Sequence, residues 1–202
     1  MTDSRLLLLD AAAEEFARYG LKGARVQAIV QRAGVNERMI YHHFGSKDGL
    51  YLAVVDHLRR EAGVAMTGII SRADGLSPYP AMRVVLGGMF DQFRSRPHLI
   101  AMLAHEGLAG QAVAPFPTAD QLPAGMRAIY RDGQQEGTFR SDLPFEIAYM
   151  TTIGALVGLS TYFAQRFTES LGGGGRTDLE YLREQIVSQL VDGLSGPTGT
   201  TH

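Results

Sequence analysis

Cysteine is missing from all 202 residues, which excludes disulfides, thiolate metal clusters and a cysteine nucleophile, and fits a reducing compartment; the expected location is cytoplasmic. Long apolar runs are missing too. The nearest approach, residues 150–159, is shorter than the roughly 18 residues that suggest a membrane span and is broken by threonine and glycine, so no membrane partner is expected. An apolar patch near the N-terminus is bracketed by Asp3, Asp10, Glu14 and Glu15, which is poor signal-peptide chemistry. Strand signals are absent, and so is a decisive net charge. Nineteen Lys plus Arg against 21 Asp plus Glu leave −2, a total that would not by itself suggest a polyanionic partner.

What is present is enough apolar material for a real core, 45% of the residues, with 20% charged. The small net charge also hides an asymmetry. Residues 16–47 carry Arg18, Lys22, Arg25, Arg32, Arg38 and Lys47 against Glu37 alone, and the remainder of the chain is on balance acidic. Local charge decides where a polyanion docks, while the acidic remainder stays off the phosphates. Arg18, Lys22 and Arg32 read as solvent-facing members of this cluster.

Hydrophobic spacing predicts an all-α chain. Leu6, Leu9, Ala13, Phe16 and Ala17 recur at three and four residues and mark a first helix over 6–19 that Gly20 stops. A second helix is expected over 26–33, with Val26, Ile29 and Val30 inward and Gly34 as a left-handed C-cap. Asn36 is placed to cap a third helix over 37–43, whose inward residues, with Val35 before and Phe44 after it, are Val35, Ile40 and Phe44. That spacing leaves Glu37, Arg38, Tyr41 and His42 outside. Gly45 breaks the chain, Ser46 offers the next N-cap, and a longer helix runs over 47–70 with Leu50, Val54, Leu58 and Ala62 on one stripe.

Two short helices around a tight turn, the second with a basic and aromatic outer edge, form a helix-turn-helix arrangement. Rigid docking by Ile29, Val35, Ile40 and Phe44 would let the second helix enter a major groove about 12 Å wide. Arg38 has the reach for guanine edges, and Tyr41, His42 and Lys47 have the donors for phosphates. Lys47 beside a helix N-terminus is expected to hold a backbone phosphate.

The ordered set Ala11-Ala12 before Phe16, then Gly20, Ile29, Ala33-Gly34-Val35, and Ile40-Tyr41-His42-His43-Phe44-Gly45-Ser46-Lys47 followed by Leu50 resembles the N-terminal DNA-binding domain of the TetR (tetracycline-repressor) family of transcriptional regulators. The resemblance covers roughly a quarter of the chain. It implies that Tyr41 and His43 sit at phosphate- or groove-facing positions and that Lys47 is the phosphate-contacting lysine opening the fourth helix. The chain departs from the family pattern at Ala24 and Arg25, where a hydroxyl cap and a hydroxyl phosphate contact are usual; Arg25 has a longer arm for that contact. Val30, Asn36 and Met39 also replace the usual Ala, Ser and Thr. The DNA-contacting set expected is thus Arg25, Asn36, Arg38, Met39, Tyr41, His42, His43 and Lys47.

Beyond Ser77-Pro78-Tyr79-Pro80, read as a connector, helices are expected over 82–94, 98–113, 123–136, 144–170 and 177–194. The resulting plan is an N-terminal three-helix helix-turn-helix domain, residues 1–48, then a larger helical effector-binding and dimerisation domain, 49–195, and a frayed tail, 196–202. Phe90, Phe93, Met102, His105, Met126, Tyr130, Tyr162 and Phe163 are candidates for lining an effector cavity, which the family resemblance implies; each reads equally as core. Small and apolar residues on two later helices, Thr152, Ala155 and Gly158 with Ile186, Leu190 and Leu194, are candidates for a homodimer seam, and a two-fold dimer implies a near-palindromic operator. His105-Glu106 lacks a second histidine at ligand spacing, so no metal is expected. No cofactor is expected either: Gly87-Gly88 and residues 172–175 do not form a phosphate loop, and no serine sits in a nucleophile elbow, which leaves an enzyme unsupported. The expected function is a sequence-specific DNA-binding regulator, a repressor relieved by a small molecule. The competing reading is a dimeric ligand-binding or protein-interaction module whose helix-turn-helix no longer meets double-stranded DNA.

Overall fold

The computed structural model describes residues 3–109, 118–160 and 179–196, and these are helical apart from short turns and one isolated antiparallel bridge between Phe139 and Ser195. The helices are α1 (Ser4–Gly23), α2 (Val26–Ala33), α3 (Arg38–Phe44), α4 (Lys47–Ser71), α5 (Pro78–Ser95), α6 (Pro97–Ala109), α7 (Ala124–Gln135), α8 (Phe145–Ser160) and α9 (Leu179–Leu194), with a single 3-10 turn at Ala119–Gln121. Tyr162, Phe163, the glycine run 172–175 and the tail beyond 196 lie outside the described residues.

Two compact units result, one of residues 1–63 with 96–116 and the other of 64–95 with 117–202. This division differs from the expected boundary after residue 48. Leu50, Tyr51, Val54 and Val55 of α4 and Met102 of α6 are buried in one apolar cluster with Leu8, Leu9, Phe16, Ile29 and Ile40, so the helix-turn-helix shares its core with the first half of α4 and with α6. A three-helix domain of about 48 residues would bury too little surface to be secure; the added helices enlarge that core.

Several element ends also differ from the sequence expectation. The first helix starts at Ser4, where the Asp3 carboxylate caps the Arg5 N–H at 2.9 Å, and it resumes for a short turn after Gly20, which is kinked at φ 63°, ψ 177°. Its buried stripe is Leu8, Leu9, Ala12, Ala13 and Phe16, while Leu6 is exposed. Residues 78–80 are not a connector. They form the first turn of α5, because a proline in a first turn gives up an N–H that has no intrahelical acceptor.

The second unit is organised around α5, which packs against α7, α8 and α9. Met82, Leu86, Phe90, Met126, Tyr130, Phe139, Leu156, Val187 and Val191 fill its core. On the flank of that core, the Arg183 guanidinium grips the Asp91 carboxylate with two hydrogen bonds of 2.9 Å, and Tyr79 donates to Asp192 at 2.6 Å.

Candidate nucleic-acid interface

The turn between α2 and α3 follows directly from its residues. Gly34 takes φ 66°, ψ 30°, the left-handed region a side chain makes costly, and the Val35 N–H closes the turn onto the Val30 carbonyl at 3.2 Å. Asn36 then turns its side-chain oxygen to the Arg38 N–H at 2.9 Å, so the expected cap is made even though regular helix begins at Arg38. Ser46 caps the next helix by accepting the Gly49 N–H at 2.9 Å.

Helix α3 is anchored by one fully buried residue, Ile40. Val35, Met39 and Phe44 are only half-buried against the cluster, so the inward face is narrower than the spacing suggested. Of the four residues expected outward, Arg38, Tyr41 and His42 are exposed, Tyr41 to 54%, and Glu37 is half-buried. Among the described residues the Arg38 guanidinium enters no ion pair, and the Tyr41 hydroxyl has only a long 3.4 Å hydrogen bond to Glu37 one turn back. A cation and a phenol left in water on a rigid helix are free to exchange solvent for groove and phosphate partners.

His43 behaves differently from His42. Its Nε2 lies 3.0 Å from the Ser4 hydroxyl, and its ring meets His42 and Phe44 edge-on at 5.0 and 5.9 Å between centroids. The Arg5 guanidinium lies 5.5 Å from the centre of the Phe44 ring. The first turn of α1 therefore clasps the last turn of α3. Neither Ser4 nor Arg5 was singled out from the sequence, since partners some forty positions apart leave no periodic trace.

The remaining cations divide into engaged and free. Arg32 is exposed as expected and is also engaged: it pairs with Glu14 at 3.3 Å and Glu15 at 3.6 Å and donates to the Ala11 carbonyl at 3.4 Å. Lys47 is half-buried, with its Nζ donating to the Ala24 carbonyl at 3.2 Å, which leaves two ammonium protons for another acceptor. Arg25 is exposed at the N-cap of α2, where its own side chain makes no cap. No side chain caps the first turn of α2, but the peptide leading into it is held from α1. Glu15, only 3% exposed, accepts the Arg25 N–H at 3.2 Å. A charged residue standing within the Leu8, Ala12 stripe was the signal for this role.

The effector and dimer candidates are distributed as follows. Phe90, Met126 and Tyr130 are buried in the second unit's core and Phe93 is half-buried against it. The Tyr130 hydroxyl is spent on the Leu143 carbonyl at 3.1 Å and its ring stacks on Phe139, which makes it a strut of that core. Met102 and His105 belong to the first unit, Met102 fully buried beside α1 and α4 and His105 holding the Ala17 carbonyl at 3.2 Å. Thr152, Ala155, Ile186, Leu190 and Leu194 come together along a groove of about 380 Å³ between α8 and α9, completed by Leu143, Ala148, Thr151, Gln189 and Gly193; Gly158 is half-buried and does not line it. Among the described residues no cluster of three or more His, Asp or Glu is placed to hold a metal, and no helix is long and apolar enough to cross a membrane.

Comparison with known proteins agrees with this geometry. Residues 8–54 match the family described as bacterial regulatory proteins, tetR family, and residues 78–192 match the tetracyclin repressor-like C-terminal domain. The chain is 30% identical over 148 residues to the HTH-type transcriptional repressor NicS of Pseudomonas putida, covering 71% of this chain and 69% of NicS. It is 26% identical to the HTH-type transcriptional repressor KstR2 of Rhodococcus jostii, across 96% of this chain and 92% of that one. A solved TetR family transcription regulator from Marinobacter aquaeolei superposes with a TM-score of 0.70 at 19% identity, covering 95% of each chain, a likeness of fold. The helix-turn-helix that presents Arg38, Tyr41 and His42 lies within the first of these matches, and the chain belongs to the tetR family of bacterial regulatory proteins, DNA-binding transcriptional regulators rather than enzymes.

Proposed function

We propose that this regulator is a repressor that binds a near-palindromic operator as a homodimer and loses DNA affinity when a small molecule occupies its second unit. The observation that carries the DNA half of this reading is the outer edge of α3. Arg38, Tyr41 and His42 are exposed together on a helix whose back is fixed by Ile40. In this reading Arg38 meets base edges, Tyr41 and His42 meet groove walls or phosphates, and Lys47 and Arg25 hold the backbone beside them. Asn36 and Met39 flank the contact, and His43 orients the helix through Ser4.

Support for the dimer comes from the α8–α9 groove, an apolar trough with small residues on its floor that a second copy of the same two helices could fill about a two-fold axis. Such a dimer would set the two α3 helices one DNA turn, about 34–36 Å, or a multiple apart. Relief by an effector is supported by family membership and by the aromatic and methionine-rich core of the second unit, where Phe90, Phe93 and Met126 would line the site. By linkage, a ligand that favours the DNA-free form binds the DNA-bound form more weakly by the same factor.

Selection of duplexes from a random pool by the purified chain tests this reading. The expected product is an inverted repeat, bound with log K falling steeply and linearly with log salt as phosphate contacts release counterions. Recovery of no preferred sequence, or of a preference without two-fold symmetry, would remove the operator and the dimer respectively.

A further inference from the structure

The carbonyl of Ala24 and the N–H of Arg25 belong to one peptide unit, and both of its polar ends are held by charged side chains from different helices. Lys47 Nζ donates to the carbonyl from the start of α4 at 3.2 Å, and Glu15 Oε1 accepts the N–H from α1 at 3.2 Å. Glu15 is 3% exposed, and its other oxygen lies 3.6 Å from Arg32 Nη1, so the buried carboxylate is neutralised as well as hydrogen-bonded. The peptide plane is therefore fixed between a carboxylate and an ammonium, each of which favours its dipole in the orientation observed. Rotating that plane would break both bonds and strand a buried charge.

This plane sets where the Arg25 side chain leaves the backbone. The Arg25 guanidinium is exposed, makes no ion pair among the described residues, and starts one residue from the carbonyl that holds the Lys47 ammonium. We infer that Glu15 is a positioning residue for DNA binding: by clamping the Ala24–Arg25 peptide against Lys47, it makes Arg25 and Lys47 a fixed two-cation grip on one backbone phosphate. Glu15 touches no DNA itself. The inference rests on the DNA-binding reading above and deepens it. It also gives the arginine at the start of α2 a fixed backbone from which to reach outward, although no side chain caps that helix.

The experiment is a double-substitution cycle on the full-length chain, reading affinity for the selected duplex at several salt concentrations alongside thermal unfolding. The variants are Glu15→Leu, Arg25→Ala and the two combined. Arg25→Ala keeps the backbone N–H and so keeps the hydrogen bond to Glu15. Glu15→Leu is expected to weaken binding about tenfold, the scale of one hydrogen bond to a charged group, and to lower the salt slope by about 1. In the Arg25→Ala background the same change is expected to alter affinity by less than about twofold, although it lowers the melting temperature in both backgrounds. Glu15→Gln, which retains an acceptor for the Arg25 N–H, is expected to recover most of the affinity. Losses that multiply in the double variant, or an unchanged affinity and slope in Glu15→Leu, would overturn the positioning role. Should Glu15→Leu fail to fold, Glu15→Asp, one methylene too short to reach the peptide, replaces it in the same cycle and is read by the same criteria. A native chain that binds no duplex at all would instead mark failure of the DNA reading itself.

Discussion

At the scale of single residues, three side chains on the short helix α3 have different surroundings. Arg38 and His42 stand in solvent, whereas His43 faces the Ser4 hydroxyl, so neighbouring histidines divide into one available to a partner and one used to hold the helix. Arg38→Ala is expected to cost about 1–3 kcal/mol on the preferred duplex and little on random DNA, as read by paired titrations, because a guanidinium that forks onto a guanine edge discriminates by about that amount. An equal loss on both duplexes would reassign Arg38 to the phosphates. The outward Arg38, Tyr41 and His42 were legible from i, i+3 and i, i+4 spacing, since a helix fixes which of its own residues share a face. The engagement of Arg32 was not, because its partners Glu14 and Glu15 lie on another helix.

At the scale of elements, α1, α4 and α6 form the frame behind the reading helix. Tyr51 of α4 is buried, packs edge-on against Phe16 at 5.0 Å, and donates its hydroxyl to Glu106 of α6 at 2.9 Å. Burial above all, with the Glu106 hydrogen bond and charge behind it, raises the Tyr51 pKa well above the ordinary 10.0. For an acid raised in the folded state, the associated stability is fully present below the unfolded value and is lost as pH climbs from about 10 toward the folded value, since the unfolded chain ionises first. Denaturant melts of the native chain between pH 9 and 11 should show that decline, and Tyr51→Phe should flatten it while lowering stability at neutral pH, by leaving Glu106 without this donor. The kink in α1 offers a second handle. Gly20 at φ 63°, ψ 177° occupies a region essentially reserved for glycine, so Gly20→Ala is expected to destabilise the chain by about 1–3 kcal/mol in the same melts. A neutral substitution would mean that α1 straightens at no cost.

At the scale of the whole molecule, the proposed dimer brings together two copies of the DNA-binding unit, and the α8–α9 groove is where the second copy is expected to join. Ala155 lies in the groove and is half-buried. Ala155→Arg puts a long cation on an apolar floor and should shift sedimentation from dimer to monomer at micromolar concentration, with a steep loss of affinity for an inverted repeat and a smaller one for a half-site. A variant that still sediments as a dimer would direct the search for the seam elsewhere. The two units are each fixed by their own apolar cluster.

Legible in the sequence alone were the helical class, the first four helices to within a few residues at their ends, the turn at Gly34, the caps at Asn36 and Ser46, and the outward edge of α3. All of these depend on residues within a few positions of one another, where hydrogen-bond geometry and the 3.6-residue period leave little choice. Only the tertiary structure decided that Met102 and His105 serve the DNA-binding unit, that Ser4 holds His43, and that Glu15 and Lys47 grip one peptide between them. Those pairings join positions from 10 to 88 residues apart, and they exist because packed helices bring particular faces together, which no local period encodes.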